Sequence, residues 1–492
     1  MSLLSQHYDS MNRKYPKDRL MLVFDIDGTI LDMRCMILNL MQTYDVDQGT
    51  GYFSQLGIED ITVHENQVQH LLVDLGISLD EQQNIIDWYG EHRWDRENVL
   101  HANRPYPGVL EVIKWFKIQP NTFVGLNTGR PEALRQDTLR SLNELGCGYH
   151  IQFQDEWLKM NPRGWDQGVA EAKVAGIRQY LDAGFRVIAF FDNEPNMLEA
   201  VEKGFDDNEI FLLHADTIFE SSRSQLPPES AEGEEYDLTE LISDRKLPRS
   251  IDFVWHGIND EANLRQLLAS DKVMWGECDL RLALTGSDLI LRHDSFAEAK
   301  YLEDEQWLTL EQFLQLIQPT GKCVKFDLKT GGSLLKLIQD YLGEYPISVD
   351  RLWFNGNIEH LHEEGFTWIA ERFSGTIIQA PVDFLTPLVC TAPKKAREIL
   401  QMFESWGINR FSISWDTENM STFFERMEEW GYQVNIYNVP NLDTFLRAVL
   451  MLPSSITSDF NFPQWNYYGR GSGQNNHHFE YIPKHEFLAK YI

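Results

Sequence analysis

"MLVFDIDGTILDM", residues 21–33, runs four apolar residues, Met21 to Phe24, straight into Asp25, with a second carboxylate at Asp27 and then Gly28 and Thr29. A short apolar run that stops at polar turn residues predicts a strand buried on both faces of a parallel sheet. Ligands bind such sheets beyond the C-terminal ends of the strands, which is where Asp25 and Asp27 fall. Further runs, "TFVGLNTG", "RVIAFFDN" and "EIFLLHAD", alternate with helical patterns, so residues 18–218 read as one α/β unit.

A carboxylate at a strand end has the chemistry to attack phosphorus and form an aspartyl-phosphate. A second carboxylate two residues on has the chemistry to protonate the leaving group and later deprotonate water. Such a pair needs a cation, and oxygen ligands suit Mg²⁺. It also needs a hydroxyl and an ammonium for the phosphate, and further acid for the metal. Thr128 follows one apolar run and Asp192 ends another, while Lys173 lies on a predicted helix before that second strand. Lys159, in "LKMNPRG", competes with Lys173 for the phosphate role.

"DIDGT", "LNTGR", Lys173 and "FFDNEPN", in that order, resemble the four motifs of the haloacid dehalogenase (HAD) superfamily of phosphatases. The resemblance implies a Rossmann-like parallel sheet with Asp25 as nucleophile, Asp27 as general acid and base, and Thr128 and Lys173 on the phosphate. Asp25, Asp27 through its backbone carbonyl, and Asp192 would hold Mg²⁺. Asp-Asn stands where many members have two acids, so Asn193, Glu194 or Asn196 is a candidate to complete the metal shell. The helically patterned stretch after the first strand, about 33–105, with "HENQVQHLLVDLG" and "LDEQQNIIDWYGEH", fits a cap that closes over small substrates.

The chain has 492 residues, enough for more than one domain. After residue 218 comes "ESSRSQLPPESAEGEEYD", polar, acidic and Pro-containing, which reads as a linker over 219–249. Eight further apolar runs then alternate with helices: "IDFVWHG", "VMWGECDL", "CVKFDLK", "RLWFNGN", "GTIIQAPV", "RFSISWD", "QVNIYNV" and "SSITSDF". Eight strand–helix units over 250–462 predict a (β/α)8 TIM barrel. The aromatic and Gly-rich residues 463–492 are expected to pack on the barrel as a tail.

Polar residues recur at the ends of these strands. His256 ends the first, Glu277 and Asp279 share a face of the second, His293 and Asp294 follow it, and Asp327 and Lys329 share a face of the third. Three acids make a site for a hard cation, Mg²⁺ or Ca²⁺. Two His supply an acid and a base, and Lys329 meets an oxyanion on phosphorus. Trp353, Trp415 and Asp459 also fall at strand ends as candidate pocket walls.

The spacing His256-Gly257, Glu277-x-Asp279, His293-Asp294 and Asp327-x-Lys329, with "WLTLEQFL" and the closing "VNIYNVPNLDTFLRAVLMLPSSITSDF", resembles the glycerophosphodiester phosphodiesterase and phospholipase-C-like barrels. "VWHGIND", "KFDLK" and "LWFNGNI" are closest to the menorin branch. The resemblance implies His256 and His293 as catalytic residues, Lys329 on the substrate, and Glu277, Asp279 and Asp327 as metal ligands. Three positions depart from the commoner pattern: no Arg follows His256, Asp327 replaces Glu, and Tyr437 replaces Trp.

Lys and Arg total 43 against 75 Asp and Glu, a formal net charge of −32, which argues against nucleic acid and anionic membrane surfaces as partners. The five Cys, an odd number without metal-ligand spacing, fit reduced thiols in a cytoplasm. No signal-peptide core and no apolar run of about 18 residues is present, so no membrane span is expected. The expectation is a cytoplasmic, bifunctional hydrolase of small phosphorylated substrates: a Mg²⁺-dependent phosphomonoesterase fused to a metal-dependent phosphodiesterase-like barrel, the two acting in sequence. The alternative is a phosphatase carrying a ligand-binding, non-catalytic barrel. Oligomeric state is left open.

Overall fold

The computed structural model describes residues 1–459 apart from 102, 150, 165–166, 206–208, 218–224, 229, 239–240, 242–250, 271–272 and 299–306, together with the strand backbones 467–472 and 478–483. The chain divides into two compact units, Met1–Pro248 and Arg249–Ile492.

The first unit is built on six parallel strands: β1 (Arg19–Phe24), β2 (Thr122–Pro131), β3 (Leu158–Asn161), β4 (Phe185–Asp192), β5 (Phe211–Ala215) and β6 (Ala231–Gly233). Their order is β3-β2-β1-β4-β5-β6. β1 is the central strand, and the direction of winding reverses beside it, which opens the crevice where Asp25 emerges. Five of the six β1 side chains are buried, as an apolar run in a doubly covered sheet requires. Met21, Val23 and Phe190 pack there against Ile177 and Tyr180 of helix Val169–Asp182. Each such side chain contributes about 1.5–3 kcal/mol by leaving water.

Between β1 and β2 the chain makes an excursion of helices Met33–Gln48, Val68–Asp74, Leu79–His92 and Arg96–His101. Its two ends are stitched together: Asp32 N–H donates to Arg104 O at 2.8 Å and Tyr106 N–H to Ile30 O at 2.9 Å. The side chain of Asp32 then caps the first of these helices and that of Ser78 caps Leu79–His92, as short polar side chains do at an N-terminus.

Two elements of this unit were not expected. Helix Ser2–Lys14 lies on the sheet, with Tyr8 Oη 2.8 Å from Thr122 Oγ1 and His7 Nε2 2.9 Å from Ile188 O. Part of the segment expected as linker forms β6 instead, because the edge of β5 offers unpaired backbone groups and Tyr236 finds a buried acceptor in Thr29 O at 2.9 Å. Most other residues of 219–249 lie outside the described residues.

In the second unit, eight parallel strands close on themselves: β7 (Asp252–Trp255), β8 (Trp275–Leu282), β10 (Cys323–Leu328), β11 (Leu352–Gly356), β12 (Ile377–Pro381), β13 (Arg410–Ser414), β14 (Val434–Val439) and β15 (Ser455–Ser458). β15 pairs with β7, and β7 and β10 both pair with β8, which completes the barrel. A short strand, β9 (Leu289–Leu291), adds antiparallel to β8. All eight apolar runs read as barrel strands form one, and most of their residues are buried. "WLTLEQFL" opens a helix with a capping box, Thr309 Oγ1 accepting from Gln312 N–H while Gln312 Oε1 accepts from Thr309 N–H. Two strand backbones, Tyr467–Ser472 and His478–Pro483, pair antiparallel; the expected packing of the tail on the barrel lies outside the described residues. Among the described residues no helix is long and apolar enough to cross a membrane.

Candidate active sites

The first site gathers at the C-terminal ends of β1, β2 and β4. Asp25 follows β1 directly, and its N–H donates to Phe191 O at 2.9 Å, which ties it to β4. Lys173 reaches across from helix Val169–Asp182, forming an ion pair with Asp25 and another with Asp192 Oδ2 at 2.8 Å. All three are buried, Lys173 to 2 % exposure and Asp192 to 1 %. The helix is held in place by Asn127, whose side-chain amide donates to Lys173 O at 2.7 Å. Two of the expected residues thus meet the third at one ammonium.

Burial pushes the Asp25 carboxyl up, against the pull of Lys173 and with help from Asp192 and Asp27, to about 8. Burial likewise raises Asp192. It works against the charge on Lys173, but Asp192 and Asp25 outweigh it and Lys173 is raised. Two buried carboxylates share one ammonium, so the cluster lacks positive charge. Hard oxygen donors short of positive charge suit a divalent cation such as Mg²⁺, and Asp25 and Asp192 converge where one would fit.

Asp27 is clamped by a residue to which the sequence reading gave no role. Arg130, fully buried, donates from Nε to Asp27 Oδ2 at 2.7 Å and from Nη2 to Asp27 Oδ1 at 2.5 Å. Its third nitrogen donates to Thr138 Oγ1 at 3.1 Å. Such bidentate geometry fixes a carboxylate's plane as well as its place. Arg130 lies in the quoted "LNTGR", but its partner is 103 residues away, and only the fold supplies it. Thr128 is buried beside it, its Oγ1 accepting from Arg130 N–H at 3.2 Å. Gly28 is at φ +81°, and a Cβ there would meet the Asn193 side chain at 2.5 Å, so this turn requires glycine. Of the other metal-shell candidates, Glu194 faces His64 of the helical excursion at 3.1 Å, and Asn196 Oδ1 is buried without a hydrogen-bond partner among the described residues. Lys159 is not brought here: its Nζ donates to Glu156 O at 3.0 Å, and it lines a groove with Arg135, Arg163 and Glu171.

The second site lies on β8 and β10. Parallel pairing sets Asp279 beside Asp327, and Glu277 lies two residues back on the same face. Carboxylate oxygens of the three lie within 4.8 Å of one another. Lys329 Nζ pairs with Asp279 Oδ1 at 2.6 Å and with Asp327 Oδ2 at 2.5 Å. Gly257 N–H holds Glu277 Oε2 at 2.8 Å, Asn259 holds Asp279 Oδ2 at 2.6 Å, and Asn355 holds Asp327 Oδ1 at 2.7 Å. These neighbours fix the acids in a convergent array without consuming all their lone pairs. Three carboxylates in such an array fit a hard divalent cation; nothing in the donor set separates Mg²⁺ from Ca²⁺.

His256 follows β7. Its Nδ1 lies 2.6 Å from Asp459 Oδ1 and its Nε2 3.7 Å from Glu277 Oε2. Burial lowers it, but Glu277 and Asp459 outweigh burial and hold it up at about 9. Burial lifts Glu277 to about 7, with Asp279 adding to the rise. Asp279 is lowered despite burial, because Lys329, His256 and His293 all favour its charge. His293 is the most open member, its Nδ1 held by Asp294 Oδ1 at 2.7 Å. Tyr437 donates its hydroxyl to Asp383 at 2.8 Å. Asp459, read from sequence only as a pocket wall, is thus the partner of His256.

Saturating Mg²⁺ or Ca²⁺ is expected to raise the thermal midpoint of the barrel's transition by about 5 °C or more, since a ligand at about 100 times its Kd contributes about 2.7 kcal/mol. Calorimetry on wild type and Asp279→Asn checks this; an equal shift in both would place the ion elsewhere.

No protein-family profile and no curated protein matches the chain. Solved structures that are similar to it are of the two kinds its motifs resemble. A glycerophosphodiester phosphodiesterase from Parabacteroides distasonis is 14% identical and covers 42% of this chain and 93% of its own, with a TM-score of 0.33. A phosphodiesterase from Oleispira antarctica, in complex with the product sn-glycerol-3-phosphate, is 15% identical and covers 43% and 93%, with a TM-score of 0.33. A HAD-superfamily hydrolase from Geobacter sulfurreducens is 14% identical and covers 44% and 93%, with a TM-score of 0.30.

Proposed function

We propose that the chain hydrolyses phosphate esters at two centres, a phosphomonoesterase at Asp25 and a phosphodiesterase at His256, and that the second supplies substrate to the first. The observation that carries the first half is Lys173 bridging Asp25 and Asp192 at the strand ends, beside an Asp27 whose carboxylate is fixed in place.

At that centre an Asp25 carboxylate oxygen attacks phosphorus. The bond from phosphorus to the ester oxygen breaks, and Asp27 gives that oxygen a proton. Water then attacks the aspartyl-phosphate, Asp27 takes its proton, and Asp25 is regenerated as phosphate leaves. Thr128 and Lys173 hold the phosphoryl oxygens. Asp25, Asp192 and the Asp27 carbonyl would hold Mg²⁺, which would supply charge neutralisation.

In the barrel, Glu277, Asp279 and Asp327 would hold a divalent cation, which would supply charge neutralisation to the diester. His256, held as an imidazolium by Asp459 and Glu277, donates a proton to the departing alcohol. His293 takes a proton from water as the water oxygen attacks phosphorus and the bond from phosphorus to that alcohol oxygen breaks, which leaves a monoester, and Lys329 meets the phosphoryl oxygens. A second reading, a barrel that binds a phosphorylated ligand without cleaving it, is favoured by Lys329 already neutralising Asp279 and Asp327.

Full-length protein with Mg²⁺ is expected to release inorganic phosphate from glycerophosphodiesters as well as from simple monoesters. Release from monoesters alone supports the second reading. Release from neither rejects both centres.

A further inference from the structure

The helical excursion sets a polar roof against the first site. His64, 2 % exposed, accepts at Nδ1 from Asn66 N–H at 3.1 Å, which leaves its Nε2–H pointing at carboxylates. Glu65 Oε2 and Glu194 Oε1 each lie 3.1 Å from that nitrogen. Glu194 is two residues past Asp192, so this contact joins the excursion to the catalytic end of β4. Trp94 joins it to the end of β2, its ring 5.8 Å from the guanidinium of Arg130.

Among the described residues, two hydroxyls in this roof are buried without a hydrogen-bond partner: Tyr89 Oη, in a side chain 4 % exposed, and Tyr106 Oη, in one 6 % exposed. Arg93 lies near the first and Thr217 near the second, neither closing a bond of good geometry. Glu65 is close enough to both tyrosines, and to Asp27, for their charges to interact; burial first, and Asp27 in addition, raise its carboxyl. Buried polar groups are nearly always satisfied, so orphaned hydroxyls near Glu65, which itself senses the charge of Asp27, point to a ligand.

The chemistry of the roof limits that ligand. Tyr89 and Tyr106 offer donors, while Glu65 and Glu194 offer acceptors. A second phosphate or carboxylate on the substrate would face two acids, which discriminates against it as strongly as any contact favours the right ligand. An aromatic or purely aliphatic alcohol would leave the hydroxyls unpaired.

Resting on the phosphomonoesterase reading, we propose that His64, Glu65, Tyr89 and Tyr106 form the leaving-group subsite, and that it takes a small uncharged polyol, so that the substrate is a polyol monophosphate. The polyol hydroxyls donate to Glu65 and Glu194 and accept from the tyrosines.

The test compares kcat/KM of full-length protein for glycerol phosphate, erythritol phosphate, phosphoglycolate, phosphocholine and phenyl phosphate, in wild type, Glu65→Gln, Tyr89→Phe and Tyr106→Phe. Polyol phosphates are expected to lead phosphoglycolate by about a hundredfold. Each variant is expected to cut the lead over phenyl phosphate about tenfold, mainly through KM. Phosphoglycolate or phosphocholine turned over as well as the polyol esters, or a lead untouched in all three variants, overturns the proposal alone. No turnover of any ester overturns the phosphomonoesterase reading together with it.

Discussion

Asp25→Asn is expected to lower phosphomonoester turnover by about 10⁴-fold or more, with the fold retained. The amide keeps the shape of the side chain in a pocket buried to 6 % exposure but cannot form the phosphoryl–enzyme bond. The reason to expect so large a loss is the arrangement around it. Lys173, Asp192 and Asp27 are placed about Asp25, and no other buried carboxylate joins this cluster among the described residues with an ammonium already on it. Lys173 keeps Asp192 at 2.8 Å in the variant, so its charge is not stranded and the unit should still fold. Asp27→Asn should differ in kind. It leaves the nucleophile but removes the base for the second step, so the aspartyl-phosphate should accumulate toward one phosphoryl group per chain on substrates with good leaving groups. Steady-state assays with acid-quenched phosphoryl trapping measure both. Activity in Asp25→Asn within about tenfold of wild type would remove the covalent mechanism.

The eight barrel strands and the main strands of the first sheet were legible because parallel strands covered on both faces are rich in apolar residues. The candidate site residues stood out because of their place on those strands: Asp25 and Asp27 just after β1, Glu277 and Asp279 at period two on β8. What the sequence hid was pairing over distance. Arg130 was in plain view one residue past Gly129, yet nothing local says that its guanidinium turns toward Asp27. Asp459 stands 203 residues from His256, and only barrel closure through β15 and β7 brings them together. β6 was hidden for another reason. "AEG" has no strand signature, and it pairs because β5 offers an edge, not because its residues prefer extension. Helix Ser2–Lys14 was passed over because only Leu4, Ser5, Tyr8 and Met11 of its residues are buried, a stripe too thin to stand out.

His256→Gln should separate the two centres and assign the barrel its chemistry. Against burial, Glu277 and Asp459 raise the imidazole to about 9, which suits it to deliver a proton. General acid catalysis contributes about 10²–10⁴-fold, and its value depends on the leaving group. An alkoxide cannot leave without a proton, whereas a nitrophenolate can. The variant should therefore lose about 10³-fold on glycerophosphodiesters and less than about tenfold on bis(p-nitrophenyl) phosphate. Monoester hydrolysis should persist, since Asp25, Asp27, Lys173 and Asp192 belong to the other unit. Asp459→Asn should fall between, because it keeps a partner at Nδ1 but withdraws the charge that stabilises the imidazolium. Equal losses on both diesters would make His256 an orienting group and not the acid. No loss on either would mean that the barrel, with His256 clamped between Asp459 and Glu277, holds its ligand by charge and leaves all bond breaking to Asp25.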